Sequence, residues 1–358
     1  MERRFTLVYA GKGSSHSWTW LADLFEAKDV DDVRFLDNEE FTENLNDDVR
    51  CVIISGGDGL AIAAALGDHG FAHLKGFIHR GGTYVGICAG AYLPLPSSIE
   101  PLCKFNLSST KIENISCERV ETTSPRISVP YGSCSVVHPV RGELELEGTE
   151  SVKAPIYGGP IFSEPTRDEV LLRYKRFTPS TEFQIDRQRA SSLILGKPAA
   201  VRAKHGLGEL ILLGPHLEHP RYPAANDLFL KLPKAGYGAH SYSGEIPRVV
   251  EETKSELLPA LADLKVAILG LENRSFLVGN KLWDGSRFLE LVSAIDKRTH
   301  TCHGNIASTL SDMLERARQD ILSASDESFE YADQGPQLLV EAARLCVDNH
   351  FSFLRENR

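Results

Sequence analysis

The sequence predicts an α/β fold, a mostly parallel sheet with helices on both faces, and three observations carry that reading. Short β-rich apolar runs alternate with helical segments through the first half of the 358 residues, the pattern of βαβ units. Two of these runs, "FTLVYAG" and "VRCVIISGG", stop at glycine, as strands feeding tight turns do. From about residue 249 to the end, apolar residues recur at helical spacing, which adds a helical part to the sheet.

Taken in order, "FTLVYAG" (Phe5 to Gly11) reads as a buried strand and "WTWLADLFEA" as the helix after it. "DVRFL" is a short second strand, and "VRCVIISGG" (Val49 to Gly57) is a third. "LAIAAALGDHGFAHLKGFIHRG" returns as a helix before the strand "TYVGIC". From about Ser116 to Gly214 short strands dominate: "SCSVVHP", "GELELEG", "KAPIYGGPIF", "EVLLRYKRF" and "AAVRAKHGLGELILLG". "HGLG" is the tight turn in the last of them, so this region supplies antiparallel additions to the sheet. "AANDLFLKL" reads as a helix. The division is then a first domain over 1–233, a Gly-, Ser- and Pro-rich linker "KAGYGAHSYSGEIPR" over 234–248, and a helical C-terminal domain over 249–358. That last part is expected to serve packing or dimerisation, so a homo-oligomer is one expected state.

Composition excludes several classes. At 42% hydrophobic and 25% charged residues, the chain is an ordinary globular protein, and its net charge of −10 disfavours the phosphate backbone of nucleic acids. The apolar run at the start is shorter than a signal peptide's, and none approaches the ~18 residues of a membrane span, so a cytoplasmic protein without membrane contact is expected. Seven cysteines without CxxC pairs suggest neither a disulfide framework nor a zinc site. "THTCHG" brings His300, Cys302 and His303 together but lacks an obvious fourth ligand, and no metal or cofactor is expected.

The stretch with chemistry in it is "GGTYVGICAGAYLP", Gly81 to Pro94, where Cys88 stands between small residues just as an apolar strand stops. Small neighbours permit a strained strand-to-helix corner on which a nucleophile projects above the sheet. A following helix N-terminus would favour thiolate over thiol. The Ala89 amide then offers half of an oxyanion hole, and "SGGDG", with Gly56, Gly57 and Asp58 after the preceding strand, offers the other half. Of twelve histidines, His216 in "LILLGPHLEHP" is the expected base. Glu218 lies two residues on, on the same face of an extended chain, and would orient the imidazole, while His219 should point away.

Together "GICAGAY" after one strand, "SGG" after the strand before it and "PHLE" near the end of the domain resemble the class I glutamine amidotransferase-like fold. More closely, "GGTYVGICAGAYL", "IYGGPIF" and "AAVRAKHGLGELILLGPHLEHP" are similar to the N-terminal domain of fungal-type biotin protein ligases, over roughly Phe5 to Leu232. The resemblance implies a flavodoxin-like doubly wound sheet, with Cys88 as nucleophile, His216 and Glu218 as its partners, and Gly57 with Ala89 as oxyanion donors. It also places "YGGP" (Tyr157, Gly158, Gly159) near the pocket, with Gly56, Asp58 and Tyr92 as further substrate-side residues. Class I glutaminases commonly carry Gln where this chain has Tyr92, and the chain shows neither a biotinyl-adenylate loop nor a phosphate loop. The expected activity is therefore cysteine-dependent cleavage of an amide, glutamine or a related small molecule, through a thioester. Any synthetase or ligase using the product would be a separate partner. A non-catalytic binding or scaffold module and an intracellular cysteine peptidase are the alternatives.

Overall fold

The computed structural model describes residues 5–113, 140–183, 185–234, 236–237, 254–271, 275–278, 281–323 and 334–357. Its first half runs β1 (Phe5–Tyr9), α1 (Trp18–Ala27), β2 (Val33–Leu36), α2 (Asn38–Glu43), β3 (Val49–Ile54), α3 (Gly59–His79), β4 (Thr83–Ile87) and α4 (Ala89–Tyr92). Then come β5 (Val140–Glu147), β6 (Ser151–Ile156), β7 (Glu169–Phe183), α5 (Arg187–Ile194), β8 (Pro198–His205), β9 (Gly208–Leu213) and α6 (Pro223–Lys231). The C-terminal part holds α7 (Lys254–Leu269), β10 (Ser275–Val278), β11 (Lys281–Asp284), α8 (Gly285–Asp296), α9 (Gly304–Ser323) and α10 (Gln334–Glu356).

One nine-stranded sheet has the order β2-β1-β3-β4-β9-β8-β7-β5-β6. Pairing is parallel from β2 through β9 and antiparallel from β9 outward. The fold is thus mixed α/β. Strand residues alternate between two cores: Val8, Phe35, Ile53, Val85 and Ile211 join α1 and the C-terminal helices, whereas Leu7, Tyr9, Val52, Ile54 and Tyr84 join α3. Burial on both faces explains why these strands read as continuous apolar runs rather than alternating ones.

The C-terminal helices close the β2 edge. Phe35 N–H donates to Asp348 at 2.8 Å, Arg355 donates to the carbonyls of Asp31 and Val33, and Phe351 packs on Phe35 at 5.2 Å. A helix laid over an edge strand satisfies backbone groups that would otherwise template further pairing. Fully buried Arg298, just past α8, donates to Asp23 at 2.8 Å and Glu26 at 2.7 Å on α1. No helix among the described residues is long and apolar enough to cross a membrane.

Several elements differ from the sequence reading. The C-terminal part is not wholly helical, since β10 and β11 pair as an antiparallel hairpin. Two short helices, α2 and α5, escape the periodicity; both start at aspartate caps, Asp37 accepting from Glu39 and Glu40 at 3.0 Å and Asp186 from Arg189 at 3.0 Å. Tyr237, in the stretch read as a linker, is buried and stacks on Phe229 at 5.4 Å. The expected strand "SCSVVHP" and most of 234–248 lie outside the described residues.

Candidate active site

Cys88 sits at the end of β4 with φ +52° and ψ −107°, a left-handed backbone that L-residues avoid at a cost of roughly 1–3 kcal/mol. The surroundings hold it there. Cys88 N–H donates to Leu213 O at 2.9 Å, Gly90 N–H to Ser55 O at 3.2 Å, and the buried Tyr84 hydroxyl to Gly90 O at 2.7 Å. A Cβ on Gly90 would lie 1.9 Å from Ile54 O, and one on Gly86 would lie 2.4 Å from Gly90 O. The corner crosses the strand beside it so closely that only glycine fits on either side of the cysteine. The helix after it, α4, is a single turn of four residues, so the dipole expected there is small and charge beside the thiol must come from side chains.

His216 and Glu218 meet, but by a route other than strand alternation. β9 ends at Leu213, and residues 216–219 form a turn in which His219 N–H donates to His216 O at 3.4 Å. Across that turn His216 Nδ1–H donates to Glu218 Oε1 at 2.7 Å, with both residues buried. Burial alone opposes a charged imidazole, yet Glu218 on one side and the hydrogen-bonded Cys88 on the other raise the His216 pKa from 6.5 to about 10. A line of hydroxyls supports Glu218: Ser55 donates to Oε1 at 3.4 Å, Ser17 lies 3.0 Å from Ser55, and Ser15 lies 3.2 Å from Ser17.

The glycine-rich turn after β3 divides its amides. Gly56 N–H donates to Ser17 Oγ at 3.0 Å and Asp58 N–H to Gly13 O at 2.8 Å. The Asp58 carboxylate caps α3 through Leu60 and Ala61, so its side chain serves the helix. Gly57, with φ +159°, lies against Ser14, and a Cβ there would come within 2.2 Å of Gly13 O. Tyr92 donates its hydroxyl to Gly158 O at 3.1 Å, joining the turn after Cys88 to the "YGGP" loop. Gly159 packs against Gly214, where a Cβ would stand 1.9 Å from the carbonyl, and Tyr157 is 43% exposed with its ring 5.6 Å from that of His216.

Residues that no local pattern announced surround this set. Trp20 of α1 packs edge-on to His216 at 5.3 Å and to His16 at 5.1 Å. Contrary to the expectation that it points away, His219 lies against the same indole at 4.4 Å. Burial, then positive neighbours, pushes the pKa of His16 to about 3 and that of His219 to about 4, so both stay neutral beside a charged His216. The arrangement offers one buried sulfur, one imidazolium and one carboxylate in series.

Comparisons with known proteins give a family match for part of the chain. No curated protein matches. Among solved structures, a GH42 beta-galactosidase from G. stearothermophilus is similar at 12% identity and TM-score 0.38, over 64% of this chain and 29% of that one. A beta-galactosidase from Bacillus circulans sp. alkalophilus gives 12% identity and TM-score 0.34 over 65% and 32%, so this chain spans about a third of each enzyme or less. A Thua-like protein from Bacteroides uniformis ATCC 8492 gives 13% identity and TM-score 0.38 over 66% and 95%. Residues 6–119, which hold the Cys88 corner and the glycine turn before it, match the biotin-protein ligase N-terminal family.

Proposed function

We propose that the chain is a class I glutamine amidotransferase-like hydrolase on a flavodoxin-like frame, cleaving a small-molecule amide through a Cys88 thioester. The parallel order β2-β1-β3-β4, which matches the flavodoxin-like pattern, supports the frame. The observation that carries the mechanism is the series Cys88, His216, Glu218, with 2.7 Å between His216 and Glu218 and the thiol on the far side of the imidazole.

In the mechanism, the Cys88 thiolate attacks the amide carbon and a carbon–sulfur bond forms. The oxyanion rests on the Gly57 and Ala89 amides. As the carbon–nitrogen bond breaks, His216 gives its proton to the departing amine, leaving a thioester. His216, held by Glu218, then takes a proton from water as the water adds to the thioester. Collapse breaks the carbon–sulfur bond, releases the acid and restores the thiolate. Where the amide is primary, the amine is ammonia, delivered to solvent or to a separate synthetase partner. No cofactor enters these steps, and the cytoplasm suits a reduced thiol.

The test is ammonia release from a panel of primary amides, glutamine first, with intact-protein mass spectrometry for the acyl adduct. Cys88→Ala is expected to lose both signals, with release falling by at least ~10³-fold. Turnover in that variant at the wild-type rate overturns the proposal.

A further inference from the structure

A short turn, Thr299–Thr301, and Cys302 after it connect α8 to α9, and α10 packs back across them. Asn349 Nδ2–H of α10 donates to Thr301 O at 2.9 Å, and Thr301 Oγ1 lies 3.3 Å from His350 Nδ1. These bonds fix the register of the helix against the turn, and they leave two thiols facing each other. Cys302 Sγ and Cys346 Sγ are 3.4 Å apart and both buried, although 44 positions separate them in sequence. Their other contacts are long: Cys302 Sγ lies 3.7 Å from Arg298 O and Cys346 Sγ 3.8 Å from Ile295 O. A thiol is a weak donor, so neither carbonyl holds its sulfur away from the other. Two attachments of the helical part to the sheet converge here. Arg298, four residues before Cys302, ties to Asp23 and Glu26 of α1, and Asp348, two residues after Cys346, accepts from Phe35 N–H at the β2 edge.

We propose that Cys302 and Cys346 form a redox modification site, a dithiol that a hydroperoxide closes to a disulfide and a thiol reductant reopens, clamping α10 to the turn after α8. A disulfide bond is about 2 Å long, so the sulfurs need to approach by only about 1.4 Å, a shift of side chains rather than of helices. Cys302 reacts first. It stands between exposed His300 and Gly304, so opening one short turn uncovers it, whereas Cys346 is buried within a 23-residue helix. The hydrogen bond from Cys346 lowers the Cys302 pKa against the opposing effect of burial, and the same bond raises that of Cys346.

In the first step Cys302 gives up its proton and its sulfur attacks one peroxide oxygen. The oxygen–oxygen bond breaks, and the leaving hydroxide takes that proton as water, with Cys302 left as the sulfenic acid. Cys346 sulfur then attacks Cys302 sulfur. The sulfur–sulfur bond forms, the sulfur–oxygen bond breaks, and the hydroxyl departs as water with the Cys346 proton. Two electrons have passed from the thiols to the peroxide. Nothing in these steps draws on Cys88, and in a reducing compartment the pair stays open until an oxidant arrives.

The test treats the intact folded chain with hydrogen peroxide near neutral pH, blocks the remaining thiols with N-ethylmaleimide and maps the peptides without reductant. A linked Cys302–Cys346 peptide is expected, lighter by two hydrogens than its reduced halves, and dithiothreitol should remove it. A cross-link over this separation should raise the melting temperature by about 4 °C or more, reversed by dithiothreitol. Cys302→Ala and Cys346→Ala should each abolish the rise, which separates it from oxidation at Cys88 or Cys103. Cys302 carried to the sulfinic acid without a linked peptide overturns the site, as does recovery of both thiols blocked by maleimide while Cys103 is oxidised. A linked peptide with no rise in melting temperature, or a rise that persists in both variants, overturns the clamp. The peptide map needs only the wild-type chain, so it decides the site even where a variant does not fold.

Discussion

Gly90→Ala probes the corner on which Cys88 stands. The new Cβ would lie 1.9 Å from Ile54 O and 2.6 Å from Ile54 C, against the 3.4 Å at which ordinary contact begins. Both atoms belong to the backbone of β3, so no side chain can swing aside, and the α4 turn must move outward by about 1.5 Å. That movement strains the 3.2 Å bond from Gly90 N–H to Ser55 O and the 2.7 Å bond from Tyr84 to Gly90 O. Overpacking of this kind costs about 1–3 kcal/mol, and two weakened hydrogen bonds add about 1 kcal/mol each, for a total of about 3–5 kcal/mol. At roughly 2–4 °C per kcal/mol the melting temperature should fall by at least about 6 °C. The control is Gly158→Ala in the neighbouring loop, where an added Cβ meets nothing within 4 Å and the cost should stay below about 0.5 kcal/mol. Thermal unfolding, read with Cys88 alkylation on the same samples, checks both variants. A Gly90→Ala protein that melts within about 1 °C of wild type and labels at the same rate would refute the steric argument.

Other perturbations test the packing and the charge. Arg298→Met removes a fully buried cation from Asp23 and Glu26; discounting for the partial exposure of both carboxylates, the loss in urea unfolding should be about 2–3 kcal/mol. Burial works to raise the Glu26 pKa, but His350 and Arg298 hold it down at about 2, so its stabilisation is present above the ordinary 4.5 and lost as pH falls toward 2. Wild type should therefore lose more stability between pH 5 and pH 3 than Arg298→Met does. Glu218→Gln keeps the shape of the His216 partner but not its charge. The His216 pKa should fall toward 6.5, and Cys88 labelling at pH 7 should slow at least tenfold.

The parts of this molecule that were legible in the sequence are those with a local physical signature. Strands buried on both faces must be apolar throughout, so β1, β3, β4 and β9 read directly. The Cys88 corner was legible because close backbone crossing forces glycine at fixed offsets, Gly86 and Gly90. His216 and Glu218 were legible as a pair, although a turn and not an extended strand brings them together. Short elements left too little periodicity: α2 and α5 are six and eight residues long, and β10–β11 are four residues each. For the hairpin, the Gly279-Asn280 dipeptide between "SFLV" and "KLWD" was an unused turn signal. Trp20, Ser17 and Ser55 carry no local signal, because what brings them to His216 and Glu218 is the packing of α1 and the end of β3.

The measurement that bears most directly on the central claim is the pH dependence of Cys88 alkylation by iodoacetamide in wild type and in His216→Ala. A charged His216 beside the sulfur predicts rapid labelling already at pH 6–7, well below the free-thiol pKa of ~8.5, and its loss in the variant. Labelling that rises only near pH 8.5, at a rate no greater than that of Cys103 and unaffected by His216→Ala, would contradict an activated nucleophile at this corner.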